Sequence, residues 1–268
     1  MTKLNHFFAL SILALFIIGC STNEDQPIVF KSLTTSKGFN FIEETASIII
    51  DGTEYSDADV SSNNSIVTIT KLSETNYAIE ASEAGNVTIS VQLKNNDYRE
   101  TKSIDLEFYE HGVKDFKVVE GIKLNIDKTG KILALLGEPD AKTLNFDASR
   151  EFWYYFSEGV ELVAIKATDI VTDAVVFPVP WSTTVNGVSV SGNVYPYDIA
   201  NNWNISNGQL IMDEVIEKLG EPDSKFNSNT TGSRLKRYVY SSPNAGFRFY
   251  SDDLNDYSNK PVSYIVIY

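Results

Sequence analysis

The chain has 268 residues and a mass of 29.9 kDa, enough for one large domain or two smaller ones that each bury a core. It carries 22 Lys and Arg against 36 Asp and Glu, a formal charge of −14, which repels phosphate backbones and argues against sequence-independent nucleic-acid binding. One Cys leaves no intrachain disulfide and no cysteine zinc site, while His6 and His111 are too few for a multi-histidine metal centre and argue against a Ser-His-Asp triad.

Lys3 is the one charge ahead of an apolar run from Phe7 to Ile18, interrupted by Ser11. The run is shorter than the ~20 residues a membrane-spanning helix needs, so residues 1–19 read as a signal peptide. It ends Ile17-Ile18-Gly19-Cys20. This resembles a bacterial lipobox, which implies cleavage between Gly19 and Cys20 and a covalent lipid on Cys20; no other cofactor is implied. Residues 20–26 continue as Ser21-Thr22-Asn23-Glu24-Asp25-Gln26, polar and without a packing pattern, and read as a flexible tether. Ser21 after the lipidated Cys fits outer-membrane sorting, and Glu24-Asp25 resembles the acidic export signals of surface lipoproteins in Bacteroidota. The implied location is the outer membrane through the lipid anchor, with the cell surface favoured over the periplasmic face. Two or three acyl chains hold such an anchor firmly, where one gives marginal binding.

Over residues 27–110 the apolar period is two. Val87, Ile89, Val91 and Leu93 alternate with Thr88, Ser90 and Gln92, and Ile104, Leu106 and Phe108 repeat the pattern. Shorter strands are predicted at Ala46–Ile50, Ile66–Thr70 and Tyr77–Ala81, separated by turns such as Asp51-Gly52 and Ala84-Gly85-Asn86. The expected architecture is an all-β sandwich. Tyr77-Ala78-Ile79-Glu80-Ala81 followed by Ala84-Gly85-Asn86-Val87-Thr88-Ile89 resembles the bacterial immunoglobulin-like domains, which implies a spacer or adhesion module.

The second half repeats itself. Leu136-Gly137-Glu138-Pro139-Asp140 recurs as Leu219-Gly220-Glu221-Pro222-Asp223, each after apolar residues at helical spacing: Ile132, Leu133 and Leu136, then Ile211, Val215, Ile216 and Leu219. Gly137 and Gly220 supply the left-handed residue that ends a helix, and Pro139 and Pro222 prevent its continuation. Downstream, Phe152-Trp153-Tyr154-Tyr155 corresponds to Arg237-Tyr238-Val239-Tyr240. The predicted unit is a helix followed by three or four antiparallel strands, over 113–177 and 209–268, joined by residues 178–208. The fold expected of the whole chain is therefore an all-β sandwich followed by an α+β domain of two tandem helix-plus-antiparallel-sheet repeats. The helix-stop motif with the aromatic strand after it resembles the β-lactamase inhibitory proteins and the SmpA/BamE-like lipoproteins of outer-membrane assembly. In those families the helix starts on a hydroxyl-bearing residue. Here Asp127 is the cap on offer for the first helix, and the second, after Gly208-Gln209-Leu210-Ile211, has none.

Candidate chemistry is sparse. Asp252-Asp253-Leu254-Asn255-Asp256 offers carboxylates for calcium but lacks the loop spacing of a calcium site, and reads as a solvated turn, as do Asp57 and Asp59 with Asp51 and Glu54. Glu138 and Glu221 share the same surroundings, which predicts similar pKa values rather than an acid–base division of labour. No residue is expected to be catalytic and none to ligate a metal. Trp153, Tyr155, Tyr238, Tyr240 and Tyr264 are candidates for partner contact, the competing reading being ordinary core. Trp181 and Trp203 lie in the inter-repeat segment, which is either a connecting arm or a packed cover. The expectation is a non-catalytic lipoprotein that binds a protein or glycan. The alternatives are a periplasm-facing accessory of outer-membrane assembly or envelope maintenance, and an enzyme-inhibitor-like module.

Overall fold

A computed structural model describes residues 27–96, 98–197, 199, 209–227 and 234–268. Gly19, Cys20, the tether and Trp203 lie outside the described residues.

Eight strands come first: β1 (Val29–Thr35), β2 (Phe39–Phe41), β3 (Thr45–Thr53), β4 (Asp57–Ser62), β5 (Val67–Lys71), β6 (Asn76–Ala81), β7 (Gly85–Asn95) and β8 (Tyr98–Tyr109). They form two four-stranded sheets, ordered β1-β3-β6-β5 and β2-β8-β7-β4, antiparallel except where β2 runs alongside β8. The alternation dictates the packing. Val87, Ile89, Val91 and Leu93 point inward from β7 into one core with Ile48, Ile50 and Ile79 of the other sheet. Outside, Thr88 donates to Asp105 and Ser90 pairs with Ser103. This is the all-β sandwich that the alternation predicts, with three strands the turn signals missed. One of them, β4, reads Asp-Ala-Asp-Val-Ser-Ser, so only Ala58 and the half-buried Val60 mark its inner face.

A small sheet follows, β9 (Val113–Lys114), β10 (Val118–Val119) and β11 (Ile122–Lys123), in the order β11-β10-β9. Next come α1 (Thr129–Leu136), β12 (Ala141–Leu144), β13 (Arg150–Tyr155), β14 (Val160–Ile165) and β15 (Val171–Val176). A separate hairpin is formed by β16 (Trp181–Val185) and β17 (Val188–Gly192). The last elements are α2 (Met212–Leu219), β18 (Ser224–Asn227), β19 (Leu235–Tyr240), β20 (Ala245–Tyr250) and β21 (Val262–Ile267). Eight of these strands make one antiparallel sheet, β12-β13-β14-β15-β21-β20-β19-β18, in which β15 and β21 form the central seam.

The chain is mostly β-sheet. Among the described residues helix is confined to α1 and α2, eight residues each, so the helical share of the second half is smaller than an α+β expectation implies. Helices of two turns do not persist alone and are held by burial of one side. Ile132 and Leu135 of α1, and Met212 and Val215 of α2, join the core against the sheet. Leu133, expected inside, is exposed, and Leu135 takes its place.

Neither helix start has a side-chain cap. Asp127 instead accepts from the Lys123 N–H at 2.7 Å and from Lys131 Nζ at 2.9 Å. The main chain does the capping: Thr129 N–H donates to the Asp169 carbonyl and Met212 N–H to that of Lys260, both at 2.9 Å. These acceptors lie just before β15 and β21, so each helix start is tied to the strand that closes its half of the sheet.

Candidate functional site

The helix-stop motif works locally. Gly137 and Gly220 have φ of 76° and 78°, a conformation that costs glycine little, and their N–H groups bond back to Leu133 and Ile216 carbonyls. Asp140 and Asp223 each accept an amide at 2.6 Å, from Phe156 and Ser241, at the turns after β13 and β19. Glu138 and Glu221 are exposed and pair with Lys142 and Lys225 four residues on. That leaves them apart from each other and on the surface, with no enclosed site between them.

Four of the five aromatic candidates are core, which corrects the partner-contact reading for them. Trp153, Tyr155, Tyr238 and Tyr240 are each at most 4% exposed and face the helices. Their polar atoms are satisfied internally: Trp153 Nε1 by Glu151 at 2.7 Å, and Tyr155 and Tyr240 hydroxyls by the carbonyls of Gly137 and Gly220. Lys142 Nζ lies 3.8 Å from the centroid of Trp153, and Lys225 Nζ 4.9 Å from that of Tyr238. Burial raises the phenol pKa of Tyr155, Tyr238 and Tyr240, as expected of hydroxyls held away from water.

Tyr264 is different. Strand alternation sends it to the face that the helices leave open, where a groove of about 480 Å³ runs across the sheet. One row of the ladder, from β14 to β20, is Glu161, Val175, Val266 and Gly246; the next is Tyr264, Arg248 and Arg237. Arg237 and Arg248 are thus directly opposed on β19 and β20. Arg237 donates to the Tyr268 hydroxyl, and its guanidinium carbon lies 5.3 Å from that ring centroid; the Arg248 carbon lies 5.0 Å from the Tyr264 centroid. Gly246 makes the arrangement possible, since a Cβ there would stand 3.0 Å from the Tyr268 hydroxyl and 3.3 Å from Arg237 Nε. Glu161 is half-buried beside valines, and burial pushes its carboxyl up to about 7.

The segment after β15 supplies one wall, through Trp181, Ser182 and Thr183. Trp181 stacks on Phe177 with centroids 3.9 Å apart and packs over Gly192, where a Cβ would overlap the indole. This part of the segment is a packed cover. Tyr195 and Tyr197, further along it, serve a second cluster that the sequence did not announce. Glu120, 1% exposed, accepts from the Gly112 N–H at 3.0 Å and from the Tyr195 hydroxyl, and its other oxygen lies 2.6 Å from His111 Nδ1. The imidazole is sandwiched between Phe41 and Tyr197, at 3.7 and 4.1 Å between centroids. No hydroxyl or thiol nucleophile bonds to the ring among the described residues, and the cluster joins β2 and the end of β8 to the segment after β17 as a latch.

The Asp252–Asp256 turn is engaged internally, Asp252 by Arg234 and Asp256 by Lys260 and Ser251. Among the described residues no three His, Cys, Asp or Glu side chains gather as a metal site, and no helix is long and apolar enough to cross a membrane.

No family model matches the chain, and no curated protein does. Among solved structures, a DUF4309 family protein (YjgB) from Bacillus subtilis is similar over 55% of this chain and 82% of its own, at 14% identity and a TM-score of 0.33. Domains 5–6 of the S-layer protein SbsC are similar over 63% of this chain and 87% of their own, at 11% identity and a TM-score of 0.24.

Proposed function

We propose that this chain is a lipid-anchored, non-catalytic binding protein: lipidated Cys20 tethers an immunoglobulin-like sandwich, which carries a duplicated helix-plus-sheet head that binds on its open sheet face. The sandwich order β1-β3-β6-β5 against β4-β7-β8 matches the A-B-E-D and C-F-G arrangement of immunoglobulin-like folds, which supports the spacer reading. The duplication is supported by contacts that recur in both halves: the glycine helix stop, the Tyr155 and Tyr240 hydroxyl bonds, the Asp140 and Asp223 turn bonds, and the main-chain helix starts. Both resemblances in the second half, to β-lactamase inhibitory proteins and to assembly lipoproteins, imply binding rather than turnover.

The observation that carries the reading is the groove. Its volume of about 480 Å³ falls in the ~300–1,000 Å³ range of ligand sites, and aromatic rings and charged groups line it together. The partner is a protein or a glycan, met at the outer membrane with the cell surface favoured.

Two experiments test this. Protease added to intact cells, with a periplasmic control, should release the 113–268 segment; protection until the outer membrane is breached puts envelope assembly first. Detergent-purified full-length chain screened on glycan and peptide arrays should yield a ligand lost in Trp181→Ala and Tyr264→Ala. Binding that survives both substitutions, and Arg248→Gln as well, in folded protein sinks the open-face reading.

A further inference from the structure

We propose that the groove takes a carboxylate-bearing sugar, a uronic-acid-type oligosaccharide whose carboxylate lies against the Arg237–Arg248 pair. This rests on the open-face reading and names its ligand class.

The pair is the starting point. Like charges directly opposite on neighbouring strands oppose pairing, yet Arg237 and Arg248 occupy such positions in a chain with a large excess of acids. Two other arginines of the second half have carboxylate partners: Arg150 bonds Asp173 at 3.0 Å and Arg234 bonds Asp252 at 2.6 Å. Arg237 and Arg248 form no ion pair among the described residues and lean on tyrosines instead. Three buried side-chain nitrogens lack a hydrogen-bond partner among the described residues: Arg237 Nε, Arg248 Nε and Trp181 Nε1. All three residues line this groove. Those nitrogens are sealed from solvent, Trp181 Nε1 against Gly192, so what the groove offers a ligand is the uncompensated positive charge and the terminal guanidinium N–H groups of the pair, and paired guanidinium forks suit a carboxylate.

The rest of the groove favours a sugar over a peptide. It lies over the middle of the sheet, where β14, β15, β21 and β20 already pair with neighbours on both sides. No free edge is offered for an extended peptide to add as a strand, so recognition falls to side chains. Glu161 supplies an acceptor for sugar hydroxyls, and the exposed surfaces of Tyr264, Tyr268 and Phe152 supply flat apolar area for ring faces.

The test is calorimetry on detergent-purified full-length chain with trigalacturonate, maltotriose and a triglutamate peptide as probes. The expected result is one trigalacturonate per chain, at least tenfold weaker binding in Arg237→Gln and in Arg248→Gln, partial retention in Arg248→Lys, and little binding of maltotriose. Circular dichroism on each variant establishes that it is folded. Equal binding of maltotriose overturns the carboxylate; preference for triglutamate overturns the sugar; no binding of trigalacturonate at millimolar concentration overturns both. A groove ligand lost in Trp181→Ala but indifferent to both Arg→Gln changes overturns this proposal and leaves the open-face reading standing. Trigalacturonate binding that survives both Arg→Gln changes as well as Trp181→Ala and Tyr264→Ala lies outside the groove and sinks the open-face reading, and this proposal with it.

Discussion

The hydroxyl of Tyr155 donates to the carbonyl oxygen of Gly137 across 2.9 Å, pinning a strand to the residue that ends the preceding helix. Tyr240 and Gly220 repeat the bond at 3.1 Å. Tyr155→Phe and Tyr240→Phe should each cost about 1 kcal/mol, the net worth of one such bond. Truncation of either ring to Ala should cost about 3–5 kcal/mol, as for any buried aromatic. Because the two sites sit in different halves of the sheet, the double Phe variant should be additive in urea denaturation. Strong non-additivity would mean that the two halves share these bonds in a way the geometry does not show.

The pH dependence of stability should carry a Glu161 signature. Burial raises its carboxyl from 4.5 to about 7 in the folded chain. Below pH 4.5 the group is protonated in both states and costs nothing. Between 4.5 and 7 the folded chain keeps a proton that the unfolded chain releases, so stability falls as pH rises. Above 7 the full penalty is present, on the order of 3 kcal/mol. Glu161→Gln should therefore match wild type at pH 4 and exceed it at pH 8. Equal stability differences at both pH values would refute the assignment.

Gly192→Ala should drive a methyl into the Trp181 indole and cost about 1–3 kcal/mol through overpacking. Trp181→Ala removes the collision, so the alanine at 192 should cost far less in that background. A double-mutant cycle by chemical denaturation reads this coupling directly. A cycle that closes to zero would show that the indole is not seated over that glycine.

Removing Glu120 should cost about 2–4 kcal/mol, because Glu120→Ala strands a buried tyrosine hydroxyl and the Gly112 amide together. Tyr195→Phe removes one partner only and should cost about 1 kcal/mol. Thermal melts of the two variants separate the cases, and equal losses would contradict a shared acceptor.

How much of this was legible in the sequence depends on the range of the signal. The helix stops were readable because Gly137 and Pro139 act within a few residues. So was β7, whose outward residues are all polar. The aromatic strand was not decided by its composition: Phe152 through Phe156 puts rings on both faces, and only the position of the helices sends Trp153 and Tyr155 inward. The groove was less visible still. Arg237 and Arg248 are brought together by register across a hairpin, and Glu161 comes from the other half of the sheet. A signal did exist. Arg237 alternates with Tyr238 and Tyr240, and Arg248 with Phe247 and Phe249, so both arginines fall opposite an aromatic face. The Glu120 latch offered no such pattern, since its members come from a turn, a strand end and the segment after β17.

The central seam has a kinetic consequence. β21 pairs with β15 through Ala174, Val175 and Val176 against Ile267, Val266 and Ile265, partners about ninety residues apart in sequence. Both flanks of the sheet are synthesised before the strand that joins them, so a growing chain holds β15 with an open, valine-rich edge until β21 arrives. Contacts of such long range slow folding, and an uncovered apolar edge invites pairing with a second nascent chain. The strand order itself therefore leaves the second half of this protein open to such pairing until synthesis has passed Ile267.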